Sequence, residues 1–140
     1  MNSSIAILIA SASFFMLPPA HGSDSQLRGC WIGEEVKQFF ADGKSVKSTP
    51  RACVLEFGED RITSSCGEIV YSYRVVRPGV YTATMISHST RPDLVGGSRE
   101  YEYKIEDGYV FITTYPQTTA PAPPTQAIRV ESRSRRASCA

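Results

Sequence analysis

The stretch Leu27-Arg28-Gly29-Cys30-Trp31 stands between an apolar leader and a long series of short, strand-like segments. Its tryptophan is the only one in the chain. Many short segments rich in β-favouring residues are typical of an all-β domain. We therefore interpret this stretch as the start of the folded domain and work outward from it.

Upstream of the stretch lies a candidate export signal. Residues 1–22 contain no Lys, Arg, Asp or Glu, and the run from Ile5 to Leu17 is largely apolar. That run is shorter than the roughly 20 residues that a membrane span needs, and Ala20-His21-Gly22 offers small residues for signal peptidase. We predict a signal peptide over 1–22, with an uncleaved apolar arm as the alternative. Lipidation of Cys30 is not expected, because Arg28 and a polar segment separate it from the apolar run.

Downstream, turn signals such as Asp42-Gly43, Pro78-Gly79 and Asp107-Gly108 divide the chain into segments too short for typical helices. These segments are rich in Val, Ile, Tyr, Phe and Thr, which favour strands. We predict a single all-β domain over 23–132, followed by a mobile basic tail over 133–140. The predicted strands are 28–40, 45–49, 52–57, 61–66, 69–77, 80–87, 98–106, 109–115 and 127–132.

Several segments alternate polar and apolar residues with a period of two, as Glu100 and Glu102 do with Tyr101 and Tyr103. Such strands have one wet face. Consecutive hairpins of this kind favour an antiparallel up-and-down meander that closes into a barrel of about eight strands, which removes exposed edges. Aromatic residues at positions that could face inward would fill the barrel interior or, alternatively, line a cavity for one ligand. They are Tyr71, Tyr73, Tyr81, Tyr101, Tyr103, Tyr109 and Phe111.

The mature part of the chain carries four cysteines, and an even number in an exported protein indicates two disulfides. A two-residue turn at Glu59-Asp60 places Cys53 opposite Cys66, with Cα atoms about 4.5 Å apart, so we predict a disulfide there. A longer loop would shift this register. Barrel closure would bring Cys30 near Cys139, while the alternatives are a free Cys139 or a bridge between chains.

The sequence offers little that would support catalysis or cofactor binding. His88 is the one histidine of the mature chain, and nothing in the spacing forces Ser87, His88 and Asp93 to converge as a triad. No Cys-x-x-Cys or acidic metal loop is present, and the formal net charge is only +1. We expect no enzyme activity, no metal or other cofactor, and no nucleic-acid partner.

Leu27-x-Gly29-x-Trp31, followed by Val54-Leu55-Glu56-Phe57 and Tyr71-x-Tyr73, resembles the small exported lipocalin-like proteins of bacteria. The resemblance runs from about Leu27 to Thr114. It implies a β-barrel in which Trp31 packs across the closed end. Exported META-type domains share the early Gly-x-Trp and a Cys-Gly like Cys66-Gly67, and periplasmic lysozyme inhibitors share only a faint likeness at 98–101.

These observations lead to a functional expectation of limited detail. We expect a periplasmic or secreted barrel that binds a small apolar ligand or serves as an envelope scaffold. The alternative is a protein-binding module, such as a periplasmic inhibitor or a META-like envelope stress protein, whose partner would be an envelope protein. No membrane span is expected after processing. The residues proposed to contact a ligand are Trp31, Tyr71, Tyr73, Tyr101 and Tyr103.

Overall fold

The computed structural model describes residues 22–66, 69–116 and 122–139. Within these ranges the chain forms nine antiparallel strands and a short 3-10 helix at Pro92–Leu94. The predicted signal peptide lies outside the described residues, apart from Gly22. The strands are β1 (Gly29–Phe40), β2 (Ser45–Ser48), β3 (Val54–Phe57), β4 (Arg61–Ser64), β5 (Val70–Arg77), β6 (Val80–Ser87), β7 (Ser98–Glu106), β8 (Tyr109–Thr114) and β9 (Ala127–Ala137).

Eight of these strands form a closed barrel. Strands β3 to β9 follow one another around the sheet, and β1 pairs with both β3 and β9, which closes the ring. β2 is not part of the ring. Along one edge of β1, residues 29–32 pair with β3 and residues 36–39 pair with β2. The predicted all-β antiparallel meander of about eight barrel strands is confirmed. The barrel is compatible with a lipocalin-like fold.

The predicted strands match the first eight observed strands to within two residues at each end. The last strand differs: the sequence predicts a mobile tail from residue 133, but β9 continues to Ala137. Residues 133–136 are polar in sequence, but each of them, like Ala137, pairs with a residue of β1. The strand persists because β1 and β8 lie on its two sides and supply backbone partners.

The β3–β4 hairpin has the predicted register. Phe57 pairs with Ile62, and the amide of Gly58 donates to the carbonyl of Arg61 at 2.8 Å, which leaves a two-residue turn. Cys53 and Cys66 therefore face each other and form a disulfide, with Cα atoms 5.1 Å apart. On the chain-entropy account, a crosslink over such a short loop stabilises the fold by about 3 kcal/mol.

Cys30 and Cys139, whose pairing the sequence left open, also form a disulfide within the chain. Their Cα atoms are 5.2 Å apart, although 109 residues separate them in sequence. Closure of the barrel makes this possible, because Cys30 of β1 pairs directly with Ala137 of β9. Two disulfides fit an extracellular or otherwise oxidising compartment.

The expectation that Tyr109 and Phe111 point inward is wrong. The turn at 107–108 has two residues, both with positive φ, so Ile105 of β7 pairs with Val110 of β8. Residues directly opposite each other share a face. The inward face of β8 therefore carries Val110, which is 1% exposed, and places Tyr109 and Phe111 on the outer surface.

One end of the barrel is closed by Trp31 and by the segment that precedes β1. Trp31 and Leu27 are completely buried, and the indole Nε1 of Trp31 donates to the carbonyl of Leu27 at 2.8 Å. Burial of each of these side chains contributes roughly 2–3 kcal/mol. The hydroxyl of Tyr103 donates to Asp24 at 2.7 Å and fastens the same segment to β7.

Arg136 of β9 covers this closed end from outside. Its guanidinium carbon lies 3.7 Å from the centroid of the Trp31 ring, and its nitrogens donate to the carbonyls of Arg28 and Gln26 at 2.6 and 2.5 Å. Gly29 makes room for this contact, since a Cβ atom there would lie 2.8 Å from the guanidinium. The glycine also has a φ of 115°, which other residues rarely adopt. The stacking of Arg136 on Trp31 thus depends on the absence of a side chain at Gly29.

Candidate ligand-binding site

The barrel interior contains a cavity of about 210 Å³, which we call the inner chamber. Its walls are apolar and aromatic, with no charged side chain among them. Ligand pockets are usually lined in this way, with a few polar groups that orient the bound molecule. The inner chamber is lined by Leu55, Phe57, Ile62, Tyr71, Tyr81, Ala83, Tyr101, Ile112 and Ser132.

A second cavity of about 280 Å³, the outer chamber, adjoins the first. Tyr71, Ala83 and Tyr101 line both chambers, so these three residues form the boundary between them. The outer chamber is otherwise lined by Met85, Leu94, Gly97 and Arg99. Because Arg99 stands at the start of β7 and the closed end lies near the β7–β8 turn, the two chambers open at the opposite end from Trp31.

The loop between β6 and β7 forms one side of this open end. His88 Nδ1 accepts hydrogen bonds from the amides of Thr90 and Arg91 at 3.2 and 2.9 Å, which shapes the loop. Leu94, which lines the outer chamber, is 41% exposed, and its neighbour Val95 is 44% exposed. Exposed apolar side chains beside an opening suit the entry of an apolar molecule.

The structure separates the five predicted ligand-contact residues into two groups. Tyr71 and Tyr101 line the chambers. Trp31, Tyr73 and Tyr103 belong to the closed end, where each donates a hydrogen bond to the protein itself, Tyr73 to the carbonyl of Gly58. Those three residues close the barrel instead of lining the chambers.

Other lining residues were not among the predicted ligand contacts. Tyr81, which is 4% exposed, and Ala83 both lie on the inward face of β6. The alternation Tyr81, Ala83, Met85 is visible in the sequence, and Tyr81 pairs directly with Tyr101 across the β6–β7 hairpin. This alternation, combined with the pairing of β6 with β7, is the sequence signal that identifies Tyr81 and Ala83 as lining residues.

The three tyrosines that line the chambers, Tyr71, Tyr81 and Tyr101, have neutral hydroxyl groups. Burial raises the pKa of Tyr81, and neighbouring Tyr101 and Tyr71 raise it further. Burial also raises the pKa values of Tyr71 and Tyr101, while the positive charge of Arg99 acts in the opposite direction on both. Tyr81 and Tyr101 stack with centroids 5.0 Å apart and planes 12° apart. None of the three hydroxyls bonds to any residue that the structure describes.

Two carboxylates outside the chambers, those of Asp93 and Glu34, have arginine partners. Asp93 forms a bidentate pair with Arg91 at 2.9 and 2.8 Å, so its carboxylate is directed to Arg91 and not to His88. Glu34 pairs with Arg133 and Arg135 on the outer face of β1 and β9. These contacts explain the charged residues as surface pairs, each worth at most about 1 kcal/mol.

One group of residues within the described ranges is close enough to hold a metal ion. It consists of Cys30, Glu56 and Cys139, whose ligand atoms lie within 4.8 Å of one another. Both thiols belong to a disulfide, however, and metal binding requires thiolates. The oxidised protein therefore has no usable ligand set at this position.

Comparison of the chain with known protein families and with curated proteins finds no match. No helix in the described part of the chain is long and apolar enough to cross a membrane.

Proposed function

We propose that this protein is an exported, non-enzymatic binding protein that holds a small, largely apolar ligand inside its barrel. The inner chamber of about 210 Å³ is the observation that supports this proposal. A cavity of about 150 Å³ with apolar walls is large enough for a benzene molecule. The inner chamber therefore suits a single ring or a short aliphatic chain, and the outer chamber supplies a route to it.

The export part of the proposal has two supports. One is the uncharged, apolar character of residues 1–22, and the other is the pair of disulfides, which persist in oxidising compartments. Expression of the full chain in a bacterium, followed by fractionation and mass spectrometry of the purified protein, tests it. We expect a mature protein outside the cytoplasm that begins near residue 23. Full-length protein that stays in the cytoplasm would contradict export.

Binding can be tested with 1-hexanol, a neutral probe of suitable size. In a titration followed by amide chemical shifts in NMR, we expect saturable changes around Ala83 and Tyr101 and much smaller ones around Arg136. Ala83→Leu fills the boundary between the chambers and should weaken binding by about tenfold or more. Thr82→Leu places the same side chain on the outer face of the same strand and serves as the control. Shifts that do not saturate, or equal affinity in both variants, would contradict interior binding.

A further inference from the structure

Arg99 occupies an inward-facing position at the open end of the barrel. On β7 the inward face carries Tyr101, Tyr103 and Ile105, and Arg99 continues this alternation. Its cross-strand partner is Ala83, whose small side chain also faces inward and lines both chambers. Arg99 is the one charged residue among those that line either chamber.

The guanidinium of Arg99 lacks an acidic partner within the described ranges. Most other arginines of the barrel are engaged, as Arg77 is with Glu100 at 2.6 Å and Arg136 is with Trp31. Arg99 forms no ion pair or side-chain hydrogen bond with any described residue. No carboxylate lines the chambers, so Arg99 is the charge that an entering anion would meet there. Arg99 is exposed and also borders a surface pocket that contains Glu100, which is paired with Arg77, and Glu102.

Two tyrosines with free hydroxyl groups line the outer chamber beside the positively charged Arg99. Tyr71 and Tyr101 line the outer chamber together with Arg99, and the positive charge of Arg99 acts on the titration of both. Both hydroxyls lack a partner among the described residues, and so does that of the buried Tyr81 behind them. Unpartnered donors thus cluster at the boundary between a charged opening and an apolar interior.

We propose that the ligand is a small amphiphilic carboxylate, whose head group binds Arg99 and the hydroxyls of Tyr71 and Tyr101 while its apolar tail fills the inner chamber. The fork of guanidinium donors matches the two oxygens of a carboxylate. The tail has the size of a short chain or a single ring. This inference rests on the proposed function, since it assigns a chemical class to the ligand of the same cavity.

Hexanoate and 1-hexanol form a suitable probe pair, because they share a six-carbon skeleton and differ in the charge of the head group. We expect the folded protein to bind hexanoate more tightly than 1-hexanol. Arg99→Gln should weaken hexanoate binding by about fivefold and leave 1-hexanol binding unchanged. Arg74→Gln removes the same charge from the outer face of β5 and should alter neither affinity by more than about 1.5-fold.

The outcomes separate the two proposals. If 1-hexanol binds inside the barrel but Arg99→Gln leaves hexanoate affinity unchanged, the carboxylate assignment is overturned and the proposed function stands. If neither probe binds the wild-type protein, both fail. Should Arg99→Gln not fold, salt replaces it as the test, because added NaCl must weaken hexanoate binding and spare 1-hexanol. Equal salt dependence for both probes would again overturn the carboxylate assignment.

Discussion

At the scale of single residues, Arg136 combines functions that no other side chain could combine in the same place. Its flat guanidinium covers the Trp31 ring while its nitrogens reach two carbonyls of the segment that precedes β1. Lysine would keep the charge but lose the planar stacking surface and the fork of donors. The contact therefore depends on the shape of arginine as much as on its charge.

Arg136→Lys should destabilise the protein by about 1–2 kcal/mol, because it removes the stacked cation and at least one hydrogen bond. Urea unfolding followed by the fluorescence of the single tryptophan measures this directly. Arg135→Lys, one residue earlier, alters an exposed pair with Glu34 and should change stability by less than about 0.5 kcal/mol. Equal losses in the two variants would show that Arg136 is an ordinary surface residue.

At the scale of elements, the two disulfides differ in what they restrain. The Cys53–Cys66 bridge joins neighbouring strands of one hairpin, 13 residues apart. The Cys30–Cys139 bridge joins the first strand to the end of the last, 109 residues apart. It also fastens the chain three residues beyond Arg136, and so supports the closed end.

On the chain-entropy account, a longer loop makes a crosslink more stabilising. Cys30→Ala/Cys139→Ala should therefore cost about 4–5 kcal/mol, and Cys53→Ala/Cys66→Ala about 3 kcal/mol. Urea unfolding of both double variants under non-reducing conditions gives the comparison. A smaller loss for the first pair than for the second would contradict the dependence on loop length.

Much of the strand pattern could be predicted from local signals, because alternation and turn residues lie within a few positions of each other. The last five residues of β9 could not, since Arg133 and its polar neighbours resemble a solvated tail until β1 and β8 flank them. The candidate ligand-binding site could be predicted only in part, because local alternation gives the face of a residue but not its depth in the barrel. Alternation showed that Tyr71 and Tyr73 face inward, but depth inside a barrel depends on the stagger between strands. That stagger puts Tyr71 at the chambers and Tyr73 at the closed end.

At the scale of the whole molecule, the barrel interior is lined by tyrosines that must stay neutral. Burial is the leading cause of a raised pKa at each of them. An unfolded tyrosine ionises near pH 10, so these groups release protons more readily from the unfolded chain. Their contribution to stability is complete below about pH 10 and is lost as the pH rises toward the folded values. The residues concerned are Tyr71, Tyr73, Tyr81, Tyr101 and Tyr103.

We therefore expect the free energy of unfolding to fall steeply above about pH 10. Tyr81→Phe removes one such group and should lessen this slope by up to about 1.4 kcal/mol per pH unit. Below pH 9 the same variant should show the wild-type slope, which serves as the internal control. Urea unfolding at a series of pH values measures both. An unchanged alkaline slope in Tyr81→Phe would contradict the assignment.

The pairing of β1 with β9 also governs when the protein can fold. The two longest strands of the barrel, β1 and β9, are its first and last, so the ring stays open until β9 is available. Contacts between such distant segments raise the contact order, which slows folding. A chain that emerges from a ribosome or a translocation pore cannot complete this barrel while β9 remains inside. Completion of the barrel is thereby deferred until β9 has emerged.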